Sequence, residues 1–149
     1  MNSFALKLSL FAVGSVLFVA TLRAEESPPE PRFALRENVI YSRKWGTALT
    51  FDVFTPEDKP NGRGVILVLS SGWMSDKGAI GRAFNRELLR RGYTVFEVAH
   101  GSQPRFTIPE ILEDLHRAVR FIRHHASEYR IDPDHLGIYG RSAGGHLSL

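Results

Sequence analysis

The short apolar run Leu136-Gly137-Ile138-Tyr139 leads straight into Gly140-Arg141-Ser142-Ala143-Gly144. This junction constrains the fold more than any other stretch of the chain. A G-x-S-x-G pattern between a strand and a helix requires a turn so sharp that the serine stands above the sheet. Glycine is demanded at both flanks, because a Cβ at residue 140 or 144 would collide with neighbouring backbone. The helix that opens after Ser142 leaves its first N–H groups without intrahelical partners. The Ala143 N–H is therefore placed to bind an oxyanion developing beside Ser142. A serine hydroxyl is a weak nucleophile at neutral pH, so Ser142 also needs a base to take its proton. Ser142 is the candidate catalytic residue.

The segments upstream supply a sheet for that turn. Val65-Ile66-Leu67-Val68-Leu69 is a near-continuous apolar run, as expected of a strand buried on both faces. Thr94 to Ala99 reads as the next strand. Asn38 to Arg43 and Thr47 to Phe54 read as a hairpin that turns at Trp45-Gly46. Ile80, Phe84 and Leu88 recur at helical spacing, and Gly92 is a natural stop. Ile111, Leu115, Ala118, Ile122 and Ala126 form one face of a long helix, widened by Leu112 and Val119. Pro109 sits at its start, where a missing N–H costs nothing. Glu113 and Arg117 can pair one turn apart. Strands alternating with helices predict an α/β fold on a mostly parallel sheet.

Composition narrows the partners. A chain of 149 residues is enough for one domain. The net charge of +3 is mild, and no basic stripe is interleaved with aromatics, so nucleic acid is not an expected partner. The absence of cysteine excludes disulfides and a thiol nucleophile. Lys7 precedes an apolar run from Leu8 to Leu22, and Arg23-Ala24-Glu25-Glu26 opens polar sequence. Residues 1–24 read as a signal peptide, which predicts a secreted or periplasmic protein. The alternative is an uncleaved membrane anchor, although a run of about 15 residues falls short of the 20 or so that span a bilayer. Ser27-Pro28-Pro29-Glu30-Pro31 marks 25–37 as a proline-rich linker, with the folded domain at 38–149.

Four blocks carry a family resemblance. They are Leu49 to Pro56, Val65 to Trp73, Gly92 to Val95, and above all Ile131-Asp132-Pro133-Asp134-His135-Leu136 running on through Ser142 to His146. From about Val39 to Leu149 the chain resembles the esterase and lipase branch of the α/β-hydrolases. It is most similar to the feruloyl- and acetyl-esterase-like and hormone-sensitive-lipase-like members. The resemblance implies the N-terminal portion of an α/β-hydrolase fold and a serine ester hydrolase that works through an acyl-enzyme. It implies no metal or cofactor. The substrate would be a small-molecule ester or an acyl group on a polysaccharide. One departure stands out: Leu69-Ser70-Ser71-Gly72-Trp73 replaces the family's His-Gly-Gly-Gly-Trp. By position the family's loop donors fall on Ser71 and Gly72, joined by Ala143. The other reading of Ser70-Ser71-Gly72 is a polar turn.

In this fold the triad runs Ser, then Asp or Glu, then His along the chain. Only seven residues follow Ser142. The chain is therefore expected to be an inactive fragment of a longer protein, with the strand before Ser142 left as an open apolar edge. His146 lies four residues on and reads as a structural neighbour rather than the base. His124 and His125 face different ways at a helix end, where histidine suits the carbonyl dipole. His100 ends the fourth strand, where ligands of open α/β sheets bind, so His100 and Trp73 are the expected cleft residues. The alternative for His100 is an ordinary loop histidine. Glu97 is odd within a strand and reads as a solvated end or an arginine partner. Asp76 is expected to fix a turn, and Asp114 to cap or pair. Two rival functions remain: a peptidase of the prolyl-oligopeptidase type, which Ala143 disfavours, and a non-catalytic binding protein on the same fold.

Overall fold

The computed structural model describes residues 29–77 and 82–149. The expected signal peptide at 1–24, the first residues of the linker and Ile80 lie outside the described residues. Five strands and three helices follow in the order β1 (Phe33–Lys44), β2 (Thr47–Pro56), β3 (Gly64–Val68), α1 (Arg82–Arg90), β4 (Thr94–Val98), α2 (Ile108–His124), β5 (Leu136–Gly140) and α3 (Ala143–Leu147).

The strands form one sheet in the order β1-β2-β4-β3-β5. β3 is parallel to both β4 and β5, whereas β2 is antiparallel to both β1 and β4. The sheet is thus mixed, and the expectation of a mostly parallel one holds only for β3, β4 and β5. The hairpin explains the difference, since a two-residue turn can join only antiparallel strands. β1 starts at Phe33, so residues 33–37, expected as linker, pair with β2 from Phe33↔Pro56 onward. Their weak strand signal has a cause: the register shifts between Arg36 and Val39, where Asn38 adopts φ 56°. A bulge breaks the alternation that marks a strand in sequence.

The core lies between the sheet and α2. Ile111, Leu115, Ala118 and Ile122 are buried on the helix face that the spacing predicts. Fully burying each of the larger ones is worth roughly 1.5–3 kcal/mol. Phe51 and Phe96 meet edge-on at 5.7 Å, and both meet Tyr129 at 6.0 and 5.1 Å. At the start of α2, Glu110 Oε2 accepts from the Thr107 N–H at 2.8 Å. At its end, His125 stacks on Phe121 at 4.1 Å, and His124 is exposed beside it.

On the other face, Leu89 packs with Leu67, Leu69 and Val95. Glu97 lies there too, and it is buried rather than solvated. It accepts a hydrogen bond from Asn85 Nδ2 of α1 and sits directly across from Asp52 in the β2–β4 register. Lys77 Nζ offsets that like-charge neighbour by reaching Asp52 Oδ1 at 2.8 Å. Asp114 is also fully buried, with Lys44 Nζ 3.4 Å from its Oδ1.

β5 is an edge strand. Ile138 and Tyr139 are 42% and 39% exposed, as expected of an open apolar edge, although Tyr139 stacks on Phe84 at 4.6 Å.

α1 ends in a Schellman motif: Tyr93 N donates to Leu88 O at 3.0 Å and Gly92 N to Leu89 O at 2.9 Å. Gly92 holds φ 81°, and a Cβ there would meet Lys59 O at 2.3 Å. Gly92→Ala is therefore expected to cost about 1–3 kcal/mol. A urea unfolding midpoint equal to that of the wild-type chain would contradict this.

Candidate active site

The elbow has the geometry its sequence requires. Ser142 adopts φ 54° and ψ −125°, a strained conformation for a residue with a side chain. Such a residue costs about 1–3 kcal/mol and persists only where its surroundings enforce it. The enforcement is visible. A Cβ on Gly140 would stand 2.2 Å from Gly144 C and O, and one on Gly144 would stand 2.7 Å from Val68 O. The start of α3 thus lies directly on the ends of β3 and β5, anchored by buried Ala143 and Leu147. Ser142 is exposed at the carboxyl end of the sheet. Ala143 is the first residue of α3, so its N–H has no intrahelical acceptor.

The loop after β3 differs from the expectation in one respect. Ser71 N donates to Met74 O at 2.9 Å, and Met74 N donates back to Ser71 O at 3.0 Å. Gly72 and Trp73 between them hold φ 55° and 66°. This is a tight turn of the type I′ kind, in which both central residues have φ > 0. The Ser71 N–H is committed to that bridge and is not free to meet an oxyanion. The Gly72 N–H, at the head of the turn, has no backbone acceptor among the described residues. Ser70 is buried, and its Oγ has no partner. Sequence position alone does not reveal the bridge, because serine at residue 71 is compatible with either loop.

Trp73 lies beside the elbow. Its ring meets His146 edge-on, with centroids 5.3 Å apart. His146 is exposed on α3 and accompanies the elbow as a neighbour. The loop after β4 is tied to the loop after β3 by three bonds. Gln103 N donates to Trp73 O at 3.2 Å, Ser75 N to Ser102 Oγ at 2.9 Å, and His100 N to Ser75 Oγ at 3.1 Å. The carboxyl ends of β3, β4 and β5 therefore carry one continuous rim.

His100 lines a cleft of about 330 Å³ with residues of the 47–50 and 99–106 segments, toward β2 rather than at the elbow. The ring is buried, and Nδ1 lies 2.6 Å from Gly101 O. A carbonyl only accepts, so Nδ1 carries the proton and Nε2 presents a lone pair. Nε2 is buried and has no partner among the described residues. Desolvation pushes the His100 pKa below its ordinary 6.5, outweighing the Gly101 carbonyl and the charge of Asp114. Among the described residues no three of His, Asp and Glu are grouped to hold a metal ion.

This sheet order and elbow define the chain as part of an α/β-hydrolase of the esterase branch. More particularly, the chain belongs to the BD-FAE family, whose model matches residues 51–149. A truncated carbohydrate esterase from gut microbiota superposes with a TM-score of 0.70 at 30% identity, over 83% of this chain and 45% of that one. A probable isoprenylcysteine alpha-carbonyl methylesterase of Arabidopsis thaliana is 24% identical over 76% of this chain and 24% of its own length. Endo-1,4-beta-xylanase B of Butyrivibrio fibrisolvens is 42% identical over 64 residues, 41% of this chain and 10% of its own. The chain thus spans about a quarter of the first of these curated relatives and a tenth of the other.

The His100 assignment carries a pH dependence with a definite sign. A folded pKa below the unfolded value means that the unfolded chain takes up the proton first as pH falls. Stability from this group is present above about pH 6.5 and is lost as pH drops toward and below the depressed folded value. His100→Gln is expected to flatten the fall in unfolding free energy between about pH 7 and 5. Denaturant titrations at the two pH values check it, and an unchanged slope would contradict the assignment.

Proposed function

We propose that this chain carries the nucleophile half of a serine ester hydrolase active site. The observation that carries the reading is Ser142 at φ 54° on an exposed elbow, beside the open N–H of Ala143. Ser142 Oγ attacks the ester carbonyl carbon, and its proton passes to a base. The carbonyl oxygen becomes an oxyanion that accepts from Ala143 N–H and Gly72 N–H. Collapse of the tetrahedral intermediate expels the alcohol, which takes up the proton from the base and departs, and the acyl group stays behind as an ester on Ser142 Oγ. Water then attacks that ester, and the acid departs. Two aligned donors in a water-poor pocket are the largest single source of rate in such chemistry. The esterase names among the relatives support ester bonds over peptide bonds.

Acyl groups on polysaccharides are the substrate class we favour, supported by the carbohydrate esterase among the solved structures. The apolar run that begins after Lys7 supports export to where such polymers lie. Among the described residues no helix is long and apolar enough to cross a membrane.

No carboxylate–histidine pair stands beside Ser142 among the described residues, and the proposal draws the acid and base of the triad from outside them. The 149-residue chain alone is expected to hydrolyse p-nitrophenyl acetate at close to the background rate. The full-length protein is expected to turn the ester over. Ser142→Ala should lower that kcat by about 10³-fold or more, as loss of a nucleophile does. Full activity in the Ser142→Ala variant would remove the reading.

A further inference from the structure

The tip of the β1–β2 hairpin carries a tryptophan where folding favours another residue. Trp45 and Gly46 hold φ 47° and 75°, the two left-handed positions of a type I′ turn. Asn-Gly fills such turns with little strain, whereas a bulky side chain at φ > 0 is an outlier. Trp45 is also 65% exposed. One face of its indole stacks on Phe106, with centroids 5.7 Å apart and planes 16° from parallel. Lys44 Nζ lies 5.7 Å from the same ring's centroid, and the rest of the indole is open to solvent. Arg105 fixes the arrangement from below: Nη2 donates to Trp45 O at 2.7 Å and Nη1 to Thr47 Oγ1 at 3.1 Å. Phe106, Lys44 and Arg105 thus hold the indole in place on a backbone conformation that tryptophan rarely adopts.

This platform borders the cleft of about 330 Å³ that His100 lines, since Thr47, Arg105 and Phe106 belong to both. The cleft is walled by hydroxyl and amide groups, among them Thr47, Thr50, Ser102 and Gln103. His100 lines it as well, with its imidazole buried. An exposed indole bordered by convergent polar groups is the chemistry of a sugar site. A pyranose ring has an apolar C–H face that lies on an indole and a rim of hydroxyls that both donate and accept.

We propose that Trp45 and this cleft form a subsite for one pyranose ring of a polysaccharide, stacked on the indole with its hydroxyls toward the polar groups of the cleft. The proposal rests on the ester hydrolase reading of Ser142 and names its substrate class more closely. The placement agrees with it. β2 starts where β4 ends, as Ala99 N donating to Thr50 O at 3.0 Å shows. β4, β3 and β5 run parallel. The cleft and Ser142 therefore share one end of the sheet, three strand spacings or about 14 Å apart. A short linear oligosaccharide bridges that gap, so a ring held at Trp45 would present an acyl group further along the polymer to Ser142. The subsite reads the ring and not the acyl group.

The test is affinity electrophoresis of the 149-residue chain in gels with and without linear β-1,4-xylan, acetylated or chemically deacetylated. The wild-type chain is expected to be retarded by both polymers. Trp45→Asn, which suits the I′ turn better than tryptophan does, is expected to weaken binding about tenfold. Trp45→Phe should keep most of it. Retardation of Trp45→Asn equal to wild type would overturn the proposal. So would the absence of retardation by xylan, or binding to phosphatidylglycerol vesicles in its place. Turnover of p-nitrophenyl acetate by the full-length protein is the separate readout. Turnover that depends on Ser142, without Trp45-dependent xylan binding, removes the subsite and keeps the esterase. Trp45-dependent xylan binding with no turnover keeps the subsite and removes the esterase.

Discussion

How closely the start of α3 can approach β3 and β5 decides the rest of the site. No side chain stands between Gly144 and Val68 O, where a Cβ would sit at 2.7 Å, or between Gly140 and Gly144, where it would sit at 2.2 Å. Backbone therefore packs directly on backbone. The only way the chain can pass from strand to helix in that space is through a left-handed residue, and Ser142 occupies it at φ 54°. The strain is held by the burial of Ala143 and Leu147 below. The same compression aims the first N–H of the helix at the space beside the serine hydroxyl. The proposed nucleophile and oxyanion donor are thus two results of one steric contact.

The rim around this contact is built from loops that bond to one another more than to the sheet. Ser75 links three of its parts. Its Oγ donates to Leu69 O at 3.0 Å and accepts from the His100 N–H at 3.1 Å, while its own N–H donates to Ser102 Oγ. Ser70 and Ser71 hold the positions where the family has glycine. Left-handed φ is confined to Gly72 and Trp73, and the turn closes between Ser71 and Met74. A loop with side chains in place of glycine still turns, but it spends one N–H on closing itself. The oxyanion donors we propose come from both sides of the serine, Gly72 on the loop and Ala143 on the helix.

Much of the sheet and elbow was legible in the sequence because local chemistry decides them. The unbroken apolar run at 65–69 permits a doubly buried strand, and β3 is that strand at Gly64–Val68. The period of Ile111, Leu115, Ala118 and Ile122 fixes the buried face of α2. Gly140, Ser142 and Gly144 fix the elbow. What escaped depends on partners distant along the chain. The acidic strand residue Glu97 makes sense only once Asn85 and the Asp52–Lys77 pair are seen around it. The first residues of β1 were hidden by the bulge at Asn38. The bridge that takes up the Ser71 N–H depends on a turn of four residues that glycine or serine can make equally well. Trp45 was visible as a turn residue, but its stacking on Phe106 joins segments about 60 residues apart in sequence and has no local signal.

The account stands or falls on Ser142 as an activated nucleophile. The direct measurement is reaction of the full-length protein with a fluorophosphonate, followed by tandem mass spectrometry of its peptides. The account predicts one phosphonyl adduct on Ser142, absent from the Ser142→Ala variant. An adduct on Ser70 or Ser71, or no adduct on a folded protein that hydrolyses esters, would contradict it.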